Sequence, residues 1–459
     1  MEHKCNVFCI IGSGISGLAA AKHCLAQGYK VIIFEKESTI GGVWFSKSYE
    51  GIKLQTTKKS YAFSDFPHFP GTGFYPNRKE LLNYFQGYCS KYNILKYCKF
   101  NTCVTKAKFR PDIHKWKITY QNKEGISVIH TDFLIVASGF YTQPKIPNIV
   151  VSKNNKKVIH SSEFSLMGNY NSTIFKDKDI VIIGNGPTGC DLATLAYDKG
   201  AKNVTIFYRT NRWLFRRFWG FGCSTDFMVS RFIQNTANIL NTDIFIILMI
   251  IATIFLELPR GNFSMKFKPP YAPPTRANLA LNDKIVNYIN CGCIDYIKAK
   301  DISLAHDNVI YSDGKKSMKY DLCIMATGFE SNIPFLNFKE IPYLYKRIIH
   351  PNLPNCCFIG FAASFNWIQV AELQIQWYLY FIKKNHNISQ EFMNKQIKYE
   401  RNNINDKAHG YHDLSTWSFD YCDSLLKDIG TNPKYNKFSF KYWFTSPEYD
   451  YWLINKIKK

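Results

Sequence analysis

One pattern occurs twice, and it restricts the possible folds more than any other feature of the chain. Val7-Phe8-Cys9-Ile10-Ile11 is a short apolar run suited to a strand buried on both faces. It leads into Gly12-Ser13-Gly14-Ile15-Ser16-Gly17, a helical stretch to Gln27, and a second strand, Tyr29 to Phe34, that ends at Glu35. The pattern returns 172 residues later: Ile180-Val181-Ile182-Ile183 leads into Gly184-Asn185-Gly186-Pro187-Thr188-Gly189. Ala21 and Gly28 follow the first motif, Ala193 and Gly200 follow the second at the same offsets, and the second copy's next strand, Val204 to Tyr208, ends at Arg209. A lone G-x-G-x-x-G says little. Two full copies, each in a strand–turn–helix–strand context, predict two dinucleotide-binding units.

Each glycine has a physical task. Gly12 allows the tight turn, Gly14 lets the backbone approach a pyrophosphate, and Gly17 lets helix and strand pack closely. Ser13, Ile15 and Ser16 complete the first cradle. Gly184, Gly186 and Gly189 repeat these tasks, with Thr188, Cys190 and Asp191 opening the second helix beside the ligand. Each helix start offers free N–H groups and the positive end of a dipole to phosphate. The ends differ usefully. Glu35 suits a free ribose diol and repels a 2′-phosphate, whereas Arg209, with Arg212 nearby, suits a 2′-phosphate through its planar guanidinium. The first site therefore reads as FAD and the second as NADPH. A solvated surface arginine is the competing reading of Arg209.

Composition excludes other classes. The 459 residues are 46% hydrophobic and 20% charged, which is incompatible with a disordered chain. The net charge of +23 points towards nucleic acid or an anionic membrane, but lysine and asparagine are heavily used everywhere and the basic residues form no stripe, so no nucleic-acid partner is expected. The fourteen cysteines form no paired C-x-x-C sets of zinc spacing, and no metal site is expected. Buried thiols and a charged start running straight into a strand point to a reducing, cytoplasmic setting with no signal peptide.

These residues resemble the flavin-containing monooxygenases, over nearly the whole chain. Gly41-Gly42-Val43-Trp44 resembles the family's G-G-x-W, and Ser64-Asp65-Phe66-Pro67 its S-D-F-P. His160-Ser161-Ser162-Glu163-Phe164 resembles the back half of the F-x-G-x-x-x-H-x-x-x-F/Y fingerprint. Asp321 through Ala326-Thr327-Gly328-Phe329 to Pro334 resembles the segment that closes onto flavin, and Glu372-Leu373-Gln374 with Trp377 resembles the E-L-Q-x-x-W helix. The resemblance implies cofactor contacts at Val43, Trp44, Leu54, Gln55, Thr56, Thr327 and Gly328. It also implies oxygenation of a soft nucleophile, an amine nitrogen or a sulfur, by NADPH and O2 through a C4a-hydroperoxyflavin. Several positions depart. The fingerprint's front half is absent. Phe164 in place of Trp disfavours the Baeyer–Villiger branch, and Phe329 replaces Tyr. Gln55 stands where animal members carry an Asn thought to steady the flavin–oxygen adduct; it offers the same amide on a longer arm and is the candidate catalytic donor. Some plant-type members carry a similar K-L-Q stretch. His160 reads either as orienting the interdomain linker or as a packing histidine, and Trp44 either as a flavin wall or as a core aromatic.

The expected fold is α/β, with two Rossmann-like domains: the FAD domain is discontinuous (1–165 and 319–459) and the NADPH domain (166–318) sits between. A mainly helical insertion, about 211–281, interrupts the second unit, and no other repeat is evident. Its apolar run, 244–256, makes a helix of about 20 Å. That is too short to span a bilayer of about 30 Å. It is either a buried insertion helix or, with 244–258 and flanking Arg231, Arg260, Lys266 and Lys268, a peripheral membrane contact. The end, Tyr451 to Lys459, is basic and lacks the hydrophobic anchor helix of animal members. Three functions stay open: a monooxygenase, an uncoupled NADPH oxidase that makes hydrogen peroxide, and a non-catalytic flavoprotein scaffold. Disulfide reduction is excluded, because no cysteine lies between Cys24 and Cys89.

Overall fold

The structure is a computed structural model that describes residues 6–147, 157–165, 171–218, 224–225, 230, 244, 247–248, 251, 279–305, 309–384, 388–403 and 418–431. The first unit runs β1 (Val7–Ile11), α1 (Ile15–Ala26), β2 (Lys30–Phe34), the single turn α2 (Val43–Ser46), α3 (Arg78–Lys91), β3 (Cys98–Lys99), the antiparallel meander β4 (Cys103–Arg110), β5 (Lys115–Asn122) and β6 (Gly125–Thr131), and then β7 (Phe133–Val136). A connecting strand β8 (Gln143–Pro144) leads to β9 (Val158–His160), β10 (Asp179–Ile183), α4 (Pro187–Asp198) and β11 (Asn203–Tyr208). Then come β12 (Trp213–Phe215), β13 (Leu279–Leu281), α5 (Ile285–Asn290), β14 (Asp295–Lys298), a second meander of β15 (Ile302–Leu304), β16 (Val309–Ser312) and β17 (Lys315–Lys319), and β18 (Leu322–Met325). The return strand β19 (Phe329–Glu330), β20 (Cys356–Phe358), α6 (Trp367–Lys383), α7 (Gln390–Asn403) and α8 (Ser418–Asp428) complete the described elements.

Two parallel five-stranded sheets result, in the orders β20-β7-β1-β2-β3 and β14-β11-β10-β18-β9. The sheets correspond strand for strand, and each carries its own three-stranded meander. Alternation along the strands explains the layering. Phe8 and Ile10 of β1 pack with α1 and α6, while Cys9 and Ile11 pack with Val104, Trp116 and Ile118 of the first meander. Ile180 and Ile182 of β10 face the α4 side, while Val181 and Ile183 meet Leu304 and Ile310 of the second meander. Strands apolar at every position are thus covered on both faces, as a parallel sheet requires.

Two features differ from the sequence expectations. β9 and β18, placed there in the two segments of the first domain, hydrogen-bond as parallel neighbours in the second sheet. The second unit thus recruits a strand from before its own first glycine motif and one from beyond the expected boundary at 319. The repeat is also larger than the glycine motifs: Ile135-Val136-Ala137-Ser138-Gly139-Phe140 closes the first unit and Ile324-Met325-Ala326-Thr327-Gly328-Phe329 the second. The insertion starts and ends on a parallel pair, Trp213–Phe215 with Leu279–Leu281. Most of it lies outside the described residues, as does Tyr451 to Lys459. No described helix is long and apolar enough to cross a membrane, and no metal-ligand cluster occurs among the described residues.

Candidate functional site

Both glycine turns stand at the carboxyl ends of their first strands. Gly12 takes φ +105°, and a Cβ there would lie 2.5 Å from the Ala137 carbonyl oxygen; one on Gly17 would lie 1.9 Å from the Gly12 oxygen. Gly42, at φ +55°, crosses the turn so closely that its Cβ would sit 3.1 Å from the Gly14 Cα. Glu35 is buried. Its Oε2 accepts from the Ser13 amide (2.7 Å) and the Ser13 hydroxyl (2.8 Å), and its Oε1 accepts from the Glu37 amide (3.0 Å). The carboxylate is thereby tied to the turn and keeps lone pairs for a ribose diol. Ser16 is buried against Gly360, and Ile15 is partly exposed at the helix start.

The second turn repeats this geometry. A Cβ on Gly184 would lie 2.4 Å from the Ala326 oxygen, and one on Gly189 2.0 Å from the Gly184 oxygen. Beside Gly186 a Cβ would meet nothing within 4 Å, so the start of α4 has room for a phosphate. Arg209 is exposed, and its guanidinium has no ion-pair partner among the described residues. Arg212 is fixed to the turn: its Nε donates to Asn185 Oδ1 (3.2 Å), while Asn185 Nδ2 donates to the Thr210 carbonyl (3.0 Å) and to Tyr296 Oη (2.8 Å). Both cradles therefore fit dinucleotides, and they carry opposite charges at the ribose end.

Cys190 and Asp191 do not face this cradle. The Cys190 thiol is buried, donates to the Asn185 carbonyl, and is pushed up to about 12 by burial. Asp191 is buried where its unit meets the first one, accepting from Tyr49 Oη of the first unit (3.0 Å) and from Asn282 Nδ2 of its own (2.7 Å). Burial raises its carboxyl to about 6, against the pull of Arg217. Both lie one turn inside α4, where side chains aim at neighbouring layers rather than past the helix end. Only Thr188 of this group stays at the helix start, half-buried.

The A-T-G-F segment, expected to close onto flavin, starts against the second glycine turn. Ala326 packs on Gly184 as Ala137 packs on Gly12, so the segment belongs to the second turn and to the linkers. Thr327 Oγ1 donates to the Lys145 carbonyl, and the Lys145 amide donates to the Gly328 carbonyl (3.0 Å). The outgoing strand β8 and the return strand β19 pair antiparallel, forming a two-stranded ribbon between the units. His160 orients it. Its Nδ1 accepts from the Ser162 amide (3.1 Å), leaving the proton on Nε2, which donates to the Gly328 carbonyl (2.9 Å). Sequence reasoning missed Lys47, whose ammonium donates to the Tyr141 (2.6 Å) and Thr142 (3.1 Å) carbonyls and lies 4.3 Å from the Phe329 ring centroid. Burial and Lys36 lower its pKa to about 8.

Gln55 bridges the units. Its Oε1 accepts from the Leu281 amide (2.8 Å) and its Nε2 donates to the Leu281 carbonyl (3.2 Å). Nearby, buried Arg217 donates to the Leu54 carbonyl and pairs with Asp283 at 3.0 Å. Thr56 is buried, Val43 is exposed, and Trp44 is buried with its indole N–H on Tyr61 Oη (2.9 Å). The remaining motifs meet one another: Glu372 accepts from the Ser64 amide (2.8 Å) and hydroxyl (3.2 Å), and Gln374 Oε1 accepts from the Gly360 amide (2.8 Å). No sequence spacing brings Gln55 to Leu281 or Tyr49 to Asp191. The paired A-S-G-F and A-T-G-F endings were visible in the sequence and would have located Ala326.

Residues 5–448 match the family model described as flavin-binding monooxygenase-like. Among curated relatives, a probable flavin-containing monooxygenase 1 of Arabidopsis thaliana is 28% identical, with 92% of each chain covered. Flavin-containing monooxygenase 3 of Canis lupus familiaris is also 28% identical, over 92% of this chain and 82% of its own. Among solved structures, S-allyl-L-cysteine S-oxygenase from Allium sativum aligns with TM-score 0.66 at 19% identity, over 93% of this chain and 89% of that one. OTEMO in complex with FAD and NADP aligns with TM-score 0.70 at 17% identity, over 92% and 98%. With two dinucleotide cradles of matching geometry and a family match across nearly its full length, the chain belongs to the flavin-containing monooxygenase family, and its cofactors are FAD and NADPH.

Proposed function

We propose that the protein uses NADPH and O2 to oxygenate a soft nucleophile, an amine nitrogen or a sulfur. The observation that carries this reading is the opposed pair of cradles: one ends in a buried carboxylate tied to its turn, the other in an exposed arginine, and a single ribbon joins them. When bound, flavin accepts hydride and activates O2. The chain holds the two nucleotides, keeps the ribbon in register through Lys47 and His160, and shields the reacting ring from water. Phe164 in place of Trp supports heteroatom oxygenation over ring-ketone insertion. The named S-oxygenase of garlic is a neighbour in fold, and sulfur compounds belong in the first substrate screen. The test is turnover under 18O2 with panels of tertiary amines and thioethers. Labelled N-oxide or S-oxide in yield matching NADPH consumed supports the reading; NADPH consumption with unlabelled substrate recovered intact overturns it.

One observation favours a second reading. Both polar atoms of the Gln55 amide engage Leu281, so the candidate donor is largely committed to the domain interface and one N–H remains. An NADPH oxidase that releases hydrogen peroxide follows if that N–H does not reach the cofactor; peroxide formed per NADPH separates the two. Peripheral membrane contact is a further proposal. Ile244, Ile247, Leu248 and Ile251 are helical, spaced on one face, and 50–56% exposed. Co-sedimentation with anionic vesicles, lost on changing Ile247 and Ile251 to Ser, supports it; a protein that stays in the supernatant refutes it.

A further inference from the structure

The start of α6 carries polar side chains with nothing to bind. Asn366 occupies its N-cap, yet its side chain makes no capping bond. It is fully buried, and neither its amide nitrogen nor its amide oxygen has a hydrogen-bond partner. Ser364 Oγ and Gln369 Oε1, also more than nine-tenths buried, are unpartnered as well. A buried polar group left unpaired carries a full desolvation cost, so native structures rarely keep several together without a ligand or water to meet them.

The place of this cluster follows from the sheet. The Ile359 amide donates to the Val136 carbonyl (2.9 Å), so the segment after β20 crosses the carboxyl end of β7. A Cβ on Gly360 would lie 2.0 Å from Ser16 Oγ, which puts that segment directly on the first glycine turn. Beyond it, the Phe361 and Trp367 rings both pack on Phe140, at 5.7 and 5.5 Å between centroids. Asn366 thus stands at the carboxyl edge of the first sheet, on the β20 side. Glu35, which reads the adenosine ribose, stands at the end of β2. Between β20 and β2 lie β7 and β1, three strand spacings or about 14 Å. A dinucleotide held at its pyrophosphate by the turn after β1 extends both ways along this edge. Its adenosine half lies towards β2 and its flavin half towards β7 and β20.

We propose that Asn366 binds the imide edge of the flavin ring and fixes its position, with Ser364 and Gln369 beside it. The chemistry is complementary. A primary amide presents a donor and an acceptor side by side; the flavin carbonyl accepts from the amide N–H, and the adjacent N3–H donates to the amide oxygen. Two parallel hydrogen bonds then set the ring's in-plane orientation, which one bond cannot. The N-terminal end of α6 adds unpaired backbone N–H groups and a positive dipole end on the same side, favouring the electron-rich reduced ring. Asn366 is a positioning residue for the cofactor. The inference rests on FAD as cofactor and is independent of the substrate.

The test is reconstitution of the apoprotein with FAD and with FAD methylated at flavin N3, following flavin fluorescence. The expected result is at least tenfold weaker binding of the N3-methyl cofactor by the native protein. Asn366→Ala is expected to bind FAD about tenfold more weakly than the native protein and to bind both flavins within twofold of each other. The infrared carbonyl stretches of bound flavin should shift upward in Asn366→Ala, a signature that a purely structural asparagine would not move. Native protein binding both flavins within twofold overturns the proposal and assigns Asn366 to an internal water. If Asn366→Ala does not fold, the native protein's two dissociation constants still decide.

Discussion

Gly189→Ala tests whether the second glycine turn is the NADPH cradle. The new Cβ would lie 2.0 Å from the Gly184 oxygen and 3.0 Å from its carbonyl carbon. Ordinary contact is about 3.4 Å or more, so α4 must retreat from β10 by roughly 1 Å. Neither atom belongs to a flexible side chain, and the strand cannot yield, because β10 is hydrogen-bonded on both sides. The overpacking should cost about 1–3 kcal/mol of stability. A shift of about 1 Å in a positioning element costs on the order of 100-fold in rate. The first cradle is untouched, since no atom of Gly17 or Gly12 is involved. The variant should therefore purify with bound flavin at full stoichiometry while the rate constant for flavin bleaching by NADPH, measured anaerobically by stopped flow, falls about 100-fold at fixed NADPH. Reduction within threefold of native by a flavin-loaded variant would refute the assignment of nucleotides to the two turns. Gly17→Ala, with its Cβ 1.9 Å from the Gly12 oxygen, is the mirror control and should lose flavin instead.

Further outcomes follow from particular side chains. Arg209→Gln should raise the KM for NADPH about tenfold or more and leave that for NADH nearly unchanged, because the lost contact is to the 2′-phosphate alone; equal effects on both would remove Arg209 from the site. Gln55→Leu breaks both bonds to Leu281 and should raise the peroxide released per NADPH, with unchanged coupling counting against any role near the oxygen chemistry. Asp191, raised to about 6 by burial, holds its proton more tightly folded than unfolded. That preference stabilises the fold fully below about pH 4, and is lost as pH rises through about 6. Asp191→Asn should accordingly flatten the decline of Tm between pH 4 and 6, seen by thermal melts across that range; an unaltered slope would mean the carboxyl is not the cause.

The parts of the site that are local in sequence were legible, and those made by tertiary contact were not. Gly12 to Glu35 is one continuous strand–turn–helix–strand stretch, so its spacing encodes its geometry, and the acid at its end lies where the pattern requires. The same holds for Gly184 to Arg209. The side-chain directions of Cys190 and Asp191 were not legible, because a motif's span does not say which way a helix turns each side chain, and α4 turns these two into the protein. The packing of Ala326 on the second glycine turn was not legible, because A-T-G-F follows a strand that crosses into the second sheet and strand order is not written in any local pattern. Gln55 stands out in the sequence as an amide where animal members carry Asn, but its partner lies 226 positions away across the interface. Asn366 carried no signal at all: only the unpartnered atoms of its buried amide reveal it.

The contrast between Glu35 and Arg209 has a kinetic consequence. Glu35 is held by three donors before any ligand arrives, so the first nucleotide meets a rigid partner and gives up little disorder on binding. Arg209 is exposed, and on the proposed assignment its long side chain is ordered each time the second nucleotide docks. Rigid, buried recognition lengthens residence, and loose, solvent-facing recognition shortens it. One cradle is therefore built to retain its occupant through many turnovers and the other to let its occupant come and go within each. On the proposed assignment of FAD to the first cradle and NADPH to the second, that asymmetry makes one nucleotide a prosthetic group and the other a consumable reductant.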